Sequence, residues 1–477
     1  MNNKMSLAEC LRLAEGTQCM TIKDGALEEI PALLKRYFAG NNSLKKIFIF
    51  IAADKNTFAA AGAAVEETVR KAGIVPAGCY FFDERIHAEY RHVETLKNEF
   101  ERALEKFGLT KDNNQSGESP DSILVPVAVG SGTINDLVKR AAAECNLPYL
   151  CVPTAASVDG YTAYGAALLY QGFKQTMPCE APLAVVADST VLAAAPPYLS
   201  SSGFGDLAGK IIAGSDWIIA DKIFALDRKG ELAPGLSKIE NTAWDMVQPS
   251  LWDNIKRSVN AAKGDREAVG TLFEALGITG FALQYMKDSR SVSGSEHMYA
   301  HVWEMENLSA GGIPVTHGHK VAMGTLAASA FTECLFAEKP ALVKNTPSWP
   351  EREAEIRRMF SGLKDALPSL VKTAEGKFIK DTKQLKKLRE GILDRWNVIR
   401  NAVFEQLPPY AELRNLLCDS GCPVKPEGIN LSKKQVLETA IKAHMIRKRF
   451  TVLDLAYEAG VFDKVLKRME ASDYLSG

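Results

Sequence analysis

Short apolar runs with little polar alternation recur through the first two hundred residues, separated by stretches of helical spacing, and this alternation constrains the fold more than any other feature of the chain. The runs are 46–53 (KIFIFIAA), 77–82 (AGCYFF), 123–129 (ILVPVAV), 149–152 (YLCV) and 183–187 (LAVVA). A strand with one wet face alternates polar and apolar residues; these do not, so they suit strands covered on both faces, as in a parallel sheet. Residues 57–72, 91–107 and 133–145 carry helical spacing and good helix formers, which supplies the crossovers of βαβ units. The stretch 111–122, with its Asn, Ser, Gly and Pro residues, reads as a surface loop.

Around Ala195-Pro196-Pro197 the pattern changes to helix-length amphipathic stretches with almost no strand candidates. We therefore expect an α/β domain over 1–197 and an all-helical domain over 198–477, with the charged stretch 350–400 forming solvated helix faces. A chain of 477 residues with 46% hydrophobic content is long enough for such a pair of cores. Its 57 basic and 58 acidic residues balance, leaving no footprint for nucleic acid or an anionic membrane surface. The N-terminus has no secretory h-region and no stretch approaches a spanning helix, so a cytoplasmic protein without membrane insertion is expected. Nine scattered cysteines suit reduced thiols, and Cys418 and Cys422 lack the two further ligands nearby that a zinc site needs.

Two loops follow strand candidates. Gly130-Ser131-Gly132-Thr133 opens a helix after a buried strand, where backbone N–H groups can approach a pyrophosphate; a purely structural turn explains the same glycines. The segment 153–160 (PTAASVDG) follows the next strand, so Thr154 and Asp159 can face a ligand at the carboxyl edge, or belong to an ST-turn and an Asp-Gly turn. Asp54 ends the first strand run and is either a ribose ligand or a helix N-cap.

Four of the seven histidines, His297, His301, His317 and His319, fall close together in the helical half. Imidazoles converging on a cleft are common ligands of divalent metals, and a carboxylate completes a three-ligand site with open positions. Asp206, in 203–210 (GFGDLAGK), offers that acid, with an N-cap as the plainer alternative.

In order, GSGTIND at 130–136, PTAASVDG at 153–160, GFGDLAGK at 203–210, SRSVSGSEH at 289–297, HGHKVAMGT at 317–325 and KRFTVLDLAYEAG at 448–460 resemble the sn-glycerol-1-phosphate dehydrogenases of the iron-containing alcohol dehydrogenase superfamily, relatives of glycerol dehydrogenase and dehydroquinate synthase. The resemblance implies a Rossmann-like N-terminal domain, an all-helical C-terminal domain and a cleft for cofactor and metal. It implies Asp206, His297 and His317 as metal ligands and Gly130, Ser131, Gly132 and Thr133 as the NAD loop. Asp54 and Thr154 follow as further cofactor contacts, and Asp159 and His301 as substrate contacts. Where the family commonly has a serine two positions after an aromatic, this chain has Ala163 after Tyr161. The chain is also longer than the family pattern, with the excess assigned to 111–122, 227–249 and the charged helical region.

The implied reaction interconverts dihydroxyacetone phosphate and sn-glycerol 1-phosphate with NAD or NADP and one divalent ion, zinc, nickel, iron or manganese. His301 is expected to relay the proton, and Lys210, Arg290 and Lys320 to lend positive charge toward the substrate phosphate. The family likeness also implies a homo-oligomer. Rival readings are a metal-dependent glycerol or polyol dehydrogenase acting on an unphosphorylated substrate, an Fe(II) oxygenase, and a nucleotide-binding protein without catalysis.

Overall fold

A computed structural model describes residues 4–38, 46–83, 86–109, 122–170, 173–226, 232–343 and 346–476. Nearly all of the loop expected at 111–122, and the first part of the extra length expected at 227–249, lie outside the described residues.

The chain divides into two compact units, 4–203 with 260–287, and 204–259 with 288–477. The first is built on a six-stranded parallel sheet: β1 (Cys19–Lys23), β2 (Lys46–Asp54), β3 (Val75–Phe82), β4 (Ser122–Gly130), β5 (Leu150–Pro153) and β8 (Ala184–Asp188), in the order β1-β8-β5-β4-β2-β3. The five strand runs read from the sequence are five of these six. Their lack of alternation has the expected cause. On one face Ile47, Ile49 and Ile51 of β2 and Val125, Val127 and Val129 of β4 pack in one core with Ile30, Leu34, Val65 and Val69. On the other, Phe48 meets Phe107 and Phe50 meets Phe100, with ring centroids 4.7 and 5.2 Å apart. Phe100 and Phe107 belong to the helix Tyr90–Lys106 and its C-cap.

The strand order fixes where a ligand can sit. From β2 the chain passes outward to β3, then crosses back to place β4 on the opposite side of β2. The winding thus reverses between β2 and β4, and at such a switch point the two following connections diverge and leave a crevice beyond the carboxyl ends. Asp54 ends β2 and Gly130 ends β4.

Four features were not expected. Strand β1 pairs in parallel with β8, a partner far away in sequence. An antiparallel hairpin, β6 (Ala166–Tyr170) and β7 (Phe173–Met177), stands apart from the main sheet. The boundary expected between 197 and 198 coincides with the start of the 28-residue helix Pro197–Phe224, but the compact units part inside that helix, after Gly203. The helix Arg266–Met286, expected in the helical half, packs within the first unit, where Gln284 donates to Thr17 Oγ1 at 2.9 Å and to the Thr162 carbonyl at 2.6 Å.

Among its described residues the second unit has helices and only two short strands, Ser309–Ala310 and Ile313–Pro314. The charged region forms the helices Trp349–Met359, Leu367–Glu375 and Thr382–Gln406; the last buries Leu388, Ile392, Trp396, Ile399 and Val403 at helical spacing, together with Arg389, which pairs with Glu458 at 2.8 Å. Among the described residues no helix is long and apolar enough to cross a membrane.

Candidate active site

Within the second unit, three helices converge on one point. Asp206 lies on Pro197–Phe224, His297 on Ser295–Met305 and His317 at the start of His317–Phe336. The approach of the first and third depends on Gly205: a Cβ there would stand 2.4 Å from the Gly318 carbonyl oxygen, so only glycine lets the backbones meet.

One ligand atom from each of Asp206, His297 and His317 lies within 4.8 Å of the others. His297 Nε2 is 3.5 Å from Asp206 Oδ1, close to the roughly 3.4 Å that separates two ligands on a tetrahedral ion with bonds near 2.1 Å. The tautomers fit as well. His317 Nδ1 is 2.7 Å from Glu304 Oε1, and His297 Nδ1 is 2.7 Å from Glu296 Oε1. An ionised carboxylate only accepts, so each Nδ1 carries the proton, and each Nε2 is the nitrogen available to a metal. The donor set therefore fits a divalent ion with open positions. Among the described residues no other group of three His, Cys, Asp or Glu residues meets this condition, and neither Cys418 nor Cys422 forms a disulfide.

The electrostatics hold the acid ionised. Burial works against charge on Asp206, but Lys210, then His297 and His317, outweigh it and keep the carboxyl well below the usual range. Lys210 Nζ donates to Asp206 Oδ1 at 2.7 Å, one helical turn away, with both side chains fully buried. In this structure the Lys210 ammonium is held on a metal-ligand candidate. Lys320, also buried, lies 3.6 Å from Glu304 Oε1, and Arg290 donates to the Gly235 carbonyl at 2.8 Å.

His301 stands beside the triad, its ring centroid 6.0 Å from that of His297 and 6.2 Å from that of His317. Its Nδ1–H donates to Glu304 Oε2 at 2.9 Å. Burial, and then the charge of Arg447, push its pKa down to about 3, so at neutral pH the ring is uncharged with Nε2 available to accept a proton. His319, the fourth member of the cluster, is outside the triad; burial pushes its pKa down to about 4.

Glu296 and Glu304 were not assigned roles from the sequence. Glutamates one residue from a histidine or on a helical turn with one are too common to signal anything; only the fold shows which imidazole each one meets. Asp216 was likewise missed. It accepts from Ser295 N–H at 2.6 Å and Val452 N–H at 2.7 Å, tying the loop before His297 to the segment 448–460. Burial, then the charge of Glu296, raise its pKa to about 7.

In the first unit, Asp54, Gly130 to Thr133 and Thr154 share the carboxyl edge of adjacent strands, with Thr154 N–H donating to the Gly130 carbonyl at 3.1 Å. Ser131 is the N-cap of the helix Gly132–Glu144 and makes no capping side-chain bond, which leaves the first turn without that internal acceptor. Gly132 also has a packing reason, since a Cβ there would lie 2.7 Å from Val158 Cγ2. Asp54 Oδ1 accepts from Thr57 N–H at 2.8 Å, which is the capping alternative. Asp159 lies half-buried in the bend after Ser157. Its loop is held from below: the buried Lys139 Nζ donates to the carbonyls of Gly160, Ala163 and Gly165 at 2.8, 3.0 and 3.1 Å. Asn135 Nδ2 adds a bond to the Gly160 carbonyl at 3.3 Å. Only a lysine on an otherwise apolar helix face hinted at this anchor.

A parallel sheet with its switch point at a glycine loop, joined in sequence to a helical unit carrying an Asp-His-His cluster, goes with a chain whose relatives are metal-dependent NAD(P) dehydrogenases. Residues 21–196 match the family model of the iron-containing alcohol dehydrogenases. The glycerol-1-phosphate dehydrogenase [NAD(P)+] of Bacillus velezensis is 30% identical over 365 residues, covering 74% of this chain and 84% of that one. That of Geobacillus thermodenitrificans is 27% identical over 409 residues, 85% of each chain. The crystal structure of a probable glycerol dehydrogenase from Sinorhizobium meliloti shares the fold, with a TM-score of 0.55 at 14% identity over 95% of this chain and 99% of that one. The chain belongs to the glycerol-1-phosphate dehydrogenase family of the iron-containing alcohol dehydrogenases and is an NAD(P)-dependent oxidoreductase.

Proposed function

We propose that this chain reduces dihydroxyacetone phosphate to sn-glycerol 1-phosphate, reversibly, at C2. The observation that carries the reading is the triad of Asp206, His297 and His317 in a chain with relatives named glycerol-1-phosphate dehydrogenase [NAD(P)+], one of them 30% identical with 84% of its length covered. When bound, the nicotinamide supplies the hydride and a divalent ion, zinc, nickel or iron, supplies Lewis acidity toward the C2 oxygen.

The residues of the chain do the rest. Asp206, His297 and His317 hold the ion, while Glu296 and Glu304 fix the two imidazoles so that Nε2 faces it. Asp54, Gly130 to Thr133 and Thr154 would seat the dinucleotide, and the uncapped first turn of Gly132–Glu144 offers N–H donors suited to a pyrophosphate. Asp159 contacts the substrate hydroxyls. His301, oriented by Glu304 through its Nδ1–H and bare at Nε2, takes up a proton from solvent at Nε2 and hands that proton on to the substrate oxygen during reduction, and its partial exposure connects it to solvent.

Purified protein should oxidise NADH or NADPH with dihydroxyacetone phosphate when a divalent ion is supplied, and the product should resist an enzyme that oxidises only sn-glycerol 3-phosphate. A product fully consumed by that enzyme, or equal efficiency on dihydroxyacetone, would overturn the reading and favour a polyol dehydrogenase.

A further inference from the structure

Three guanidinium groups gather around the loop that leads into the helix Ser295–Met305, and two of them are committed. Arg449 pairs with Asp288 Oδ1 at 3.3 Å and donates to Ser289 Oγ at 3.1 Å and to the Ser293 carbonyl. Arg290 is bound to the Gly235 carbonyl. Arg447 is different. Among the described residues it forms no ion pair within 4.0 Å, and its one hydrogen bond is a long one, 3.5 Å to Ser289 Oγ.

Its surroundings leave the charge uncompensated. Burial, then the like charge of Arg449, lower the Arg447 pKa to about 10, against the more distant acids Glu304, Asp288 and Glu296. Two of those acids already serve imidazoles: Glu304 takes His301 and His317, and Glu296 takes His297. Asp288 is half exposed and is paired with Arg449. The field of Arg447 also acts on His301, beside the triad. Lys210 and Lys320, the other cations there, are each held by a buried carboxylate. Arg447 thus has a planar fork of donors with almost no acceptor, beside the loop that leads into the helix Ser295–Met305 carrying His297 and His301. Such a fork matches a dianionic phosphate, which two like-charged guanidinium groups favour and a neutral ligand does not.

We propose that Arg447, backed by Arg449 and steadied by Ser289, receives the phosphate of the triose at the Asp206–His297–His317 site and so sets its preference for a phosphorylated substrate. This rests on the reading given under Proposed function.

The test compares kcat/KM for dihydroxyacetone phosphate and dihydroxyacetone in metal-loaded wild type, Arg447→Ala and Arg447→Lys. The ratio of the two efficiencies should fall by about a hundredfold in Arg447→Ala, the loss of a charge-assisted fork, and by less in Arg447→Lys, which keeps the charge without the fork. Phosphite added to the dihydroxyacetone reaction should accelerate wild type in a saturable manner and Arg447→Ala far less. A wild-type preference that survives unchanged in Arg447→Ala overturns the assignment and leaves the proposed reaction standing. A wild type without any preference overturns both. Should Arg447→Ala fail to fold, an Arg447→Lys variant with the wild-type ratio, or a wild type that phosphite does not accelerate, overturns it as well.

Discussion

Glu304 accepts hydrogen bonds from two histidines at once, His317 Nδ1 through Oε1 at 2.7 Å and His301 Nδ1 through Oε2 at 2.9 Å. A single buried carboxylate therefore sets the orientation of a metal-ligand candidate and of the proposed proton relay. Glu304→Gln keeps the shape but turns one acceptor into a donor, so one of the two imidazoles must adopt the wrong tautomer. Metal affinity should fall by about 10- to 100-fold, as for other partners of metal-bound histidines. Competition with a chelator measures it, and an unchanged affinity would remove Glu304 from the site.

Lys210 and Asp206 form a fully buried pair. Lys210→Met leaves Asp206 with less compensation, and breaking such a pair costs on the order of 3 kcal/mol. A bound divalent ion supplies the missing positive charge. Thermal unfolding of the variant should therefore show a large loss of stability in stripped protein and a markedly smaller one in metal-loaded protein. Equal losses in both states would mean that the ion does not meet Asp206.

Lys139 holds the loop that carries Asp159 through three backbone carbonyls. In Lys139→Met these carbonyls lose their donor, at a cost of about 2–4 kcal/mol. NADH or NADPH binding, followed by fluorescence titration, should weaken at least about tenfold as the edge loosens, a change of about 1.4 kcal/mol. Metal content should remain at the wild-type level. Loss of metal with intact cofactor binding would contradict the division of labour between the units.

His444 provides a pH dependence remote from the triad. It accepts from Arg352 at Nδ1, at 2.8 Å, and its Nε2 faces Asp454 Oδ1 at 3.2 Å. Burial pushes its pKa down to about 4, so the folded state holds it neutral while an unfolded chain would protonate it near 6.5. The unfolded state then binds more protons between these values, and stability is present above about 6.5 and lost as pH falls toward 4. The slope attributable to His444 is up to one proton, about 1.4 kcal/mol per pH unit. Urea unfolding between pH 4 and 7.5 should show a shallower slope in His444→Asn than in wild type. Identical slopes would mean that His444 is not the titrating group.

What the sequence made legible follows from what each signal depends on. Strands β2 and β4 announce themselves because both faces are buried, which forces continuous apolar runs such as KIFIFIAA. The five residues of β1 (CMTIK) show no such run and gain their place by pairing with β8, which no local signal encodes. The hairpin of β6 and β7 is a separate two-stranded sheet outside the βαβ pattern. The helix Arg266–Met286 has the same apolar character as its neighbours, so its membership of the first unit rests on tertiary contacts such as Gln284 with Thr162. In the site, Asp206, His297 and His317 stood out through their residue types and motifs. Lys210 did not disclose its direction, because one turn of helix places it equally well for solvent, phosphate or Asp206 until the neighbouring helices close over it.

A catalytic divalent ion held by Asp206, His297 and His317 is tested most directly by metal content measured together with activity. Protein stripped with a chelator should lose its reduction of dihydroxyacetone phosphate and recover it in proportion to bound ion, reaching a plateau at about one ion per chain. His297→Ala and His317→Ala should each neither retain the ion nor recover. Stripped protein that keeps full activity, or variants with the metal content of wild type, would contradict the account.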